Sequence, residues 1–231
     1  MEVEKDEKQR QKTAIIFGST GLVGGYLLEL LCESNRYRKV LSFSRRASGF
    51  THPKLKEHIS TLNSIDDILN KIVGDDFYCC LGTTIKKAGS KDNFTRIDLT
   101  LPVRLAHFAE KIKAQSFSVV SSVGANPNSS NFYLSTKGQM ENRVLQCDIP
   151  NISILRPSML LGPRDEFRFG ETAGKLLMAL ANPLMMGKFK KYRGIRAFSV
   201  AKAMLTITTN ETKGKEIYES DELQQIAKKQ Y

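Results

Sequence analysis

The residues best suited to acid–base chemistry in this sequence are Tyr133 and Lys137. They are four positions apart, so on a helix their side chains share one face. A tyrosine acts as a base near neutral pH only when its phenolate is stabilised, and a neighbouring ammonium does this. Ser121 and Ser122 end the strand predicted just before this helix, where a hydroxyl can bond a substrate oxygen. The pattern Y-x-x-x-K is common by chance, so the prediction depends on further motifs upstream.

A glycine-rich segment, GSTGLVG at 18–24, separates the first predicted strand from the first predicted helix. Glycines permit a sharp turn and a close approach of the backbone to a pyrophosphate, whose charge the helix N-terminus favours. The alternative is a turn without a ligand. A phosphate-loop NTPase is disfavoured because no GxxxxGK[ST] motif occurs. The segment predicts a dinucleotide site made by Gly18, Ser19, Thr20, Gly21, Leu22, Val23 and Gly24.

The residues after the second predicted strand indicate which dinucleotide binds. Arg45 and Arg46 stand where an NAD-preferring site has an acidic residue. A guanidinium pairs in a planar, bidentate manner with a 2′-phosphate, so NADP(H) is predicted over NAD(H), the alternative being two surface arginines. The turn after the fourth predicted strand also faces this edge of an open parallel sheet. It adds Leu81, Gly82, Thr83 and Thr84 to the predicted cofactor site. Tyr133 and Lys137 are also predicted to contact the cofactor, because the lysine can hold the nicotinamide ribose. Arg156, at the end of a later strand, is assigned either to the substrate-side floor or to cofactor contact.

Apolar runs alternate with helical periodicity along most of the chain. Strands are predicted at 13–18, 39–44, 57–61, 77–81, 116–121, 151–156 and 215–220. Helices are predicted at 22–31, 64–73, 92–113, 133–146, 172–181 and 199–208, with a last one from 221. The strands are apolar throughout, as in a parallel sheet covered on both faces. The predicted fold is therefore a single α/β domain, a doubly wound parallel sheet (Rossmann fold), over 13–231. A small substrate-side cap is predicted at 158–200, and a disordered polar lead-in at 1–12.

Composition places the chain among packed globular proteins. Its 231 residues are 41% hydrophobic and 26% charged, too apolar for a disordered chain. The four cysteines form no C-x-x-C pair and the three histidines are scattered, so neither disulfides nor a metal site are predicted. No secretory signal and no apolar run of membrane-spanning length is present, and together with reduced thiols this predicts a cytoplasmic protein.

The formal net charge of +11 favours anionic partners. Its densest part is the basic segment at 188–196, which contains no acidic residue. The anionic partner could be a phosphorylated cofactor, nucleic acid or an anionic membrane surface. The alternative is a solvated basic surface without a partner. Nucleic acid ranks low because the sequence has no recognised nucleic-acid module and no interleaved aromatic residues.

Six segments together resemble one known family. They are FGSTGLVG (17–24), SRR (44–46), CLGTT (80–84), VVSSVGA (119–125), NFYLSTKG (131–138) and LRPSMLLG (155–162). Over about 13–210 the chain is similar to the short-chain dehydrogenase/reductases, specifically the atypical epimerase/dehydratase-like branch and its Tat-interacting-protein oxidoreductase subgroup. The resemblance implies a Rossmann fold, NADP(H) binding, and Ser122, Tyr133 and Lys137 as catalytic residues, with Ser121 as the competing serine.

Two hypotheses of function result. The first is an NADP(H)-dependent oxidoreductase acting on a small carbonyl or alcohol substrate. The second is an NADPH-binding regulatory protein with little turnover, which Asp98 favours because many family members have asparagine at that position. The resemblance also implies a protein partner, and the helices predicted at 92–113 and 133–146 are candidates for pairing in a homodimer.

Overall fold

A computed structural model describes residues 11–60, 72–162, 187–210 and 214–229 of the chain. Several predictions lie outside these ranges. They include most of the polar lead-in, the helix at 64–73 up to residue 71, the helix at 172–181 and the central part of the substrate-side cap.

The described strands form one seven-stranded sheet in which every neighbouring pair is parallel. The strand order is β3-β2-β1-β4-β5-β6-β9, which is that of a doubly wound sheet. This confirms the predicted fold and all seven predicted strands. The strands are β1 (Lys12–Phe17), β2 (Tyr37–Ser44), β3 (Leu55–Ile59), β4 (Asp76–Cys79), β5 (Ser116–Val120), β6 (Asn151–Arg156) and β9 (Gly214–Glu219). Two short strands, β7 (Leu160–Leu161) and β8 (Ile195–Arg196), pair separately.

Helices cover both faces of the sheet. They are α1 (Leu22–Glu33), α2 (Ile85–Ala88), α3 (Lys91–Thr95), α4 (Leu101–Lys111), α5 (Phe132–Leu145), α6 (Ala197–Thr209) and α7 (Ser220–Lys228), and Gly187–Tyr192 forms a 3₁₀ turn. None of the helices in the described ranges combines the length and the apolar character that crossing a membrane requires.

The single helix predicted at 92–113 is wrong in its continuity. α3 and α4 are separated by a π-helical turn at Arg96–Thr100, whose wider register shows in the bond from the Leu101 N–H to the Arg96 carbonyl. Pro102 explains the change, because a proline lacks an N–H and its ring crowds the carbonyl four residues earlier, which belongs to Asp98. The chain therefore adapts to Pro102 with a π-turn, a feature frequent at functional sites.

Two hydrophobic cores lie on opposite faces of the sheet. Alternate residues of β1 point to each: Ile15 and Phe17 join the core under α4 and α5, whereas Ala14 and Ile16 join the core under α1, α6 and α7. Burial on both faces accounts for the apolar central strands, whereas the edge strands β3 and β9 carry charged residues and are partly or largely exposed.

Candidate active site

The glycine-rich turn lies at the carboxyl end of β1, between its neighbours β2 and β4. The chain order reverses at this point, which is where open α/β sheets bind ligands. Gly18 has φ +83°, and a Cβ there would lie 2.7 Å from the backbone carbonyl of Cys80. Glycine is therefore required for the turn to lie directly against the end of β4.

The N-terminus of α1 fits an anionic group. Gly21 is its N-cap, and none of the described side chains caps the helix, so first-turn N–H groups remain available. A Cβ on Gly24 would lie 2.1 Å from the Gly18 oxygen, so α1 packs directly on the turn. The Ser19 side chain is buried and accepts a hydrogen bond from Ser42 Oγ at 2.7 Å, which ties the turn to β2. Of the other predicted cofactor residues here, Val23 is buried in the core, and Thr20 and Leu22 are partly exposed.

Arg45 and Arg46 follow the end of β2 and are both exposed. Ser44 Oγ donates a hydrogen bond of 2.5 Å to the Arg46 carbonyl and fixes this bend. Within the part of the chain that the structure describes, neither guanidinium forms an ion pair. Both are therefore free to pair with an anion beside the turn after β1.

Tyr133 and Lys137 both lie on α5, as the four-residue spacing predicts. Asn131 caps the helix by accepting a hydrogen bond from the Leu134 N–H at 3.2 Å. The Tyr133 ring packs against Phe94, with 5.5 Å between the ring centroids. The start of α5 is thus held both by its cap and by the helix before the π-turn.

Lys137 is buried and forms an ion pair that the sequence did not reveal. Its Nζ lies 2.7 Å from Asp98 Oδ1 and also donates to the Val120 carbonyl, at 3.4 Å, at the end of β5. Burial has the largest single effect and lowers the pKa of Lys137, but the charge and hydrogen bond of Asp98, together with Tyr133 and Cys79, outweigh it, so the pKa is raised. Lys137 is therefore a fixed ammonium throughout the physiological pH range.

Asp98 also connects the two sides of the site. Its Oδ2 accepts a hydrogen bond of 2.9 Å from the Thr83 N–H, in the turn after β4. In the same turn Leu81 is partly buried, Gly82 is exposed, and Thr84 caps α2 by accepting from the Lys87 N–H. α5 and the predicted cofactor turn are thus joined through one carboxylate.

The two serines after β5 have different environments. Ser121 is buried, and its Oγ donates a hydrogen bond of 2.5 Å to Glu141 Oε1. Ser122 is partly exposed, and its Oγ makes only a long contact of 3.4 Å with the Val123 carbonyl. The hydroxyl available to a substrate is that of Ser122.

Arg156 holds the loop that carries these serines. Its Nε and Nη2 donate to the two carboxylate oxygens of Glu141 at 2.9 and 2.5 Å, and Nη1 donates to Glu219 at 3.1 Å. Nη2 also bonds the Ala125 carbonyl at 3.2 Å. Hydrogen bonding to Glu141 raises the pKa of Arg156. These contacts fit a role for Arg156 in shaping the floor of the site. Contact between Arg156 and a cofactor stays a prediction.

Sequence reasoning missed Glu141, although a signal was present. Glu141 follows Tyr133 and Lys137 at intervals of four, so the three residues share one face of α5. A glutamate on the buried face of a helix requires a cationic partner. Arg156 is that partner, but its position next to α5 depends on the pairing of β5 with β6.

The comparisons with known proteins agree with this architecture. Residues 14–218 match the model of the NAD dependent epimerase/dehydratase family, and the chain belongs to that family. It is 36% identical over 192 residues to the mitochondrial protein FMP52-1 of Scheffersomyces stipitis, covering 79% of this chain and 77% of the relative. It is 32% identical over 175 residues to protein HTATIP2 of Rattus norvegicus, covering 74% and 72%. These relatives confirm the resemblance to the epimerase/dehydratase-like, Tat-interacting-protein group.

Solved structures with low sequence identity share the fold. The ADP-L-glycero-D-manno-heptose-6-epimerase of Helicobacter pylori has a TM-score of 0.68 and 19% identity, covering 96% of this chain and 83% of that one. The enzyme WbmH of Bordetella bronchiseptica, solved with NAD+, has a TM-score of 0.69 and 16% identity, covering 91% and 76%. These neighbours show the fold, and the match to a family described as NAD dependent supports the coarse prediction of a nicotinamide cofactor.

The predicted cytoplasmic location is wrong. Several yeast relatives, including FMP52-1 of Scheffersomyces stipitis and FMP52 of Saccharomyces cerevisiae, are named as mitochondrial proteins. The prediction rested on reduced thiols and on the lack of a secretory signal. Both observations argue only against the secretory route and do not separate the cytosol from the mitochondrion.

Proposed function

We propose that this protein is an NADP(H)-dependent oxidoreductase that acts on a carbonyl or alcohol substrate. The observation that carries the proposal is the position of Tyr133 and of the buried Lys137 on one face of α5. The Lys137 ammonium reaches the end of β5 and, through Asp98, the turn after β4. The Gly18 turn lies at the same end of the sheet, which supports a phosphate site next to the proton-transfer groups.

Three groups of residues would hold the cofactor. Backbone N–H groups of 18–24 and the start of α1 hold the pyrophosphate. Arg45 and Arg46 pair with the 2′-phosphate, whose double charge suits two guanidiniums. The opposite wall of the site is formed by Leu81, Gly82, Thr83 and Thr84.

A bound nicotinamide supplies the hydride donor or acceptor. The Tyr133 hydroxyl exchanges a proton with the substrate oxygen, and the Ser122 hydroxyl donates a hydrogen bond to that same oxygen. The ammonium of Lys137 stabilises the phenolate that forms when Tyr133 gives up its proton. Asp98 and Val120 keep that ammonium in place.

The cofactor preference is tested by replacing Arg45 and Arg46 together with alanine. Loss of a charge-assisted, bidentate contact costs about 1.5–3 kcal/mol, so the NADPH dissociation constant should rise roughly 10- to 100-fold. The NADH dissociation constant should stay the same. Arg38→Ala is the matched control, since Arg38 is an exposed arginine near the start of β2. Equal affinity of the double variant and the native chain for NADPH would reject the 2′-phosphate assignment.

The catalytic assignment is tested with Tyr133→Phe, which removes only the hydroxyl. Turnover of a responsive carbonyl substrate should fall by at least 100-fold, while NADPH affinity changes less than threefold. Tyr26→Phe, at a partly exposed tyrosine beyond the first turn of α1, should behave like the native chain. Undiminished turnover in Tyr133→Phe would remove Tyr133 from the mechanism.

The second candidate function is an NADPH-binding regulatory protein with little turnover. The Asp98–Lys137 ion pair favours it, because the pair engages the Lys137 ammonium that the reaction needs. This function predicts NADPH binding together with no oxidation of NADPH across a broad panel of aldehydes and ketones. Turnover that depends on Tyr133 would exclude it.

We also propose the mitochondrial location for which the yeast relatives are named. Subcellular fractionation with protease protection tests it directly. The chain should be recovered in the mitochondrial fraction and should resist protease until the membranes are opened. Recovery in the soluble cytosolic fraction alone would contradict this location.

A further inference from the structure

A cluster of three potential metal ligands lies far from the candidate active site. His107 and Glu110 are on one face of the last turns of α4, and Cys147 follows the end of α5. Both helices run antiparallel to the strands. Their C-terminal ends therefore lie at the amino ends of the strands, on the opposite side of the sheet from the Gly18 turn. The three candidate donor atoms, a ring nitrogen of His107, a carboxylate oxygen of Glu110 and Sγ of Cys147, lie within 4.8 Å of one another.

The distances in the cluster resemble the edges of a tetrahedral site. His107 Nδ1 lies 3.2 Å from Glu110 Oε2 and 3.7 Å from Cys147 Sγ. Zinc bonds of about 2.0–2.3 Å to nitrogen, oxygen and sulfur place neighbouring tetrahedral ligands about 3.3–3.6 Å apart. One ion can therefore reach the three donors after a small rotation of Glu110, whose side chain is 33% exposed.

The surroundings support binding in two ways. The Asp148 N–H donates a hydrogen bond of 2.5 Å to Glu110 Oε1, which leaves Oε2 directed at the cluster. The His107 side chain is 60% exposed, so water has access as a fourth ligand. Lys215 is the nearby cation, and its ammonium is held by the Leu145 carbonyl at 2.9 Å.

We propose that His107, Glu110 and Cys147 bind one divalent metal ion of the zinc class, with water completing a tetrahedral site. This site is independent of the function proposed above. On binding, the Cys147 thiol loses its proton to solvent and a metal–sulfur bond forms. The dication, one thiolate and one carboxylate then sum to zero charge. The ion links the end of α4 to the segment that leads into β6.

Cobalt(II) titration of the EDTA-treated full chain tests the proposal. The expected result is one Co²⁺ per chain, with a thiolate-to-cobalt charge-transfer band in the near ultraviolet, tetrahedral bands in the visible, and displacement of both by Zn²⁺. Binding of metal to the native state alone should raise the melting temperature by roughly 5–10 °C at a hundredfold excess over Kd.

Variants separate this site from nonspecific binding. Cys147→Ser should abolish the charge-transfer band, and His107→Gln, at an exposed position that tolerates change, should weaken Co²⁺ affinity at least tenfold. His52→Asn is the control, since asparagine can still accept the hydrogen bond that His52 Nδ1 takes from the Lys54 N–H. Binding without a charge-transfer band, or an unchanged band in His107→Gln, would overturn the proposal.

Discussion

Asp98 Oδ1 lies 2.7 Å from Lys137 Nζ, and the two side chains are 0% and 4% exposed. The carboxylate comes from the π-helical turn and the ammonium from α5, so the contact joins two elements that no local pattern connects. Two charges at such depth are stable only as a pair. Asp98 is therefore a positioning residue for Lys137, whose ammonium stabilises the Tyr133 phenolate in the proposed function.

Asp98→Asn should destabilise the fold because it leaves the Lys137 ammonium buried without a counter-charge. The free energy of unfolding at pH 7 should fall by about 3 kcal/mol, measured by urea denaturation. Replacing Lys137 with methionine in the same chain should restore more than half of that loss. If the double variant were less stable than Asp98→Asn, the buried-charge explanation would fail.

The same variant should also reverse the pH dependence of stability. In the native chain the raised pKa of Lys137 means that its contribution is fully present below the unfolded pKa of about 10.4 and is lost only above it. Without Asp98, burial dominates and the folded pKa falls below the unfolded one. The deficit of Asp98→Asn relative to the native chain should therefore shrink as pH rises from 7 to 10. A constant deficit over this range would contradict a lowered pKa of Lys137 in the Asp98→Asn variant.

Two adjacent glycines at the start of α1 should respond oppositely to alanine. A Cβ on Gly24 would lie 2.1 Å from the Gly18 oxygen, whereas a Cβ on Gly25 would lie 3.6 Å from the Ser19 oxygen, an ordinary contact. Gly24→Ala should lower the free energy of unfolding by about 2–3 kcal/mol through overpacking. Gly25→Ala should keep or raise it by up to about 1 kcal/mol, because alanine favours helix.

Cofactor binding gives this pair of variants a second readout. If the turn at 18–24 holds the pyrophosphate, Gly24→Ala should weaken NADPH binding at least tenfold even where the protein remains folded. Gly25→Ala should bind NADPH like the native chain, measured by thermal shift. Equal damage from both substitutions would show that α1, and not its contact with Gly18, is the sensitive feature.

Much of the fold is predictable because its signals are local. Residues 13–17 are apolar in an unbroken run, and this run alone predicts a strand buried on both faces. The glycine at 18 then marks the turn, since few other residues adopt its positive φ. The π-turn at Arg96–Thr100 was not predicted, because periodicity shows that Pro102 disturbs the helix but not how the chain adapts.

The site was predictable only where its residues are neighbours in sequence. Tyr133 and Lys137 are separated by one helical turn, and Arg45 and Arg46 are adjacent. The Asp98–Lys137 pair and the cluster of His107 with Cys147 join residues about 40 positions apart. Such contacts arise when α4 and α5 pack on the same face of the sheet, and their side-chain register is decided by three-dimensional packing.

Ser121 and Ser122 give the sharpest test of which side chains serve structure and which serve chemistry. Ser121→Ala removes a buried donor to Glu141 and should lower the free energy of unfolding by about 1–2 kcal/mol. Ser122→Ala removes a hydroxyl with one weak contact and should change stability by less than about 0.5 kcal/mol. Urea denaturation of both variants measures the difference.

Turnover should show the reverse order. If Ser122 Oγ bonds the substrate oxygen, Ser122→Ala should reduce kcat by about 10²–10³, the usual effect of removing one oxyanion donor. Ser121→Ala should retain most of its kcat at temperatures where it is folded, since its hydroxyl is already committed to Glu141. A greater loss of kcat in Ser121→Ala than in Ser122→Ala would transfer the catalytic role to Ser121. That result would also require Glu141 to release the Ser121 hydroxyl when substrate binds, which a Glu141→Gln variant with altered KM would reveal.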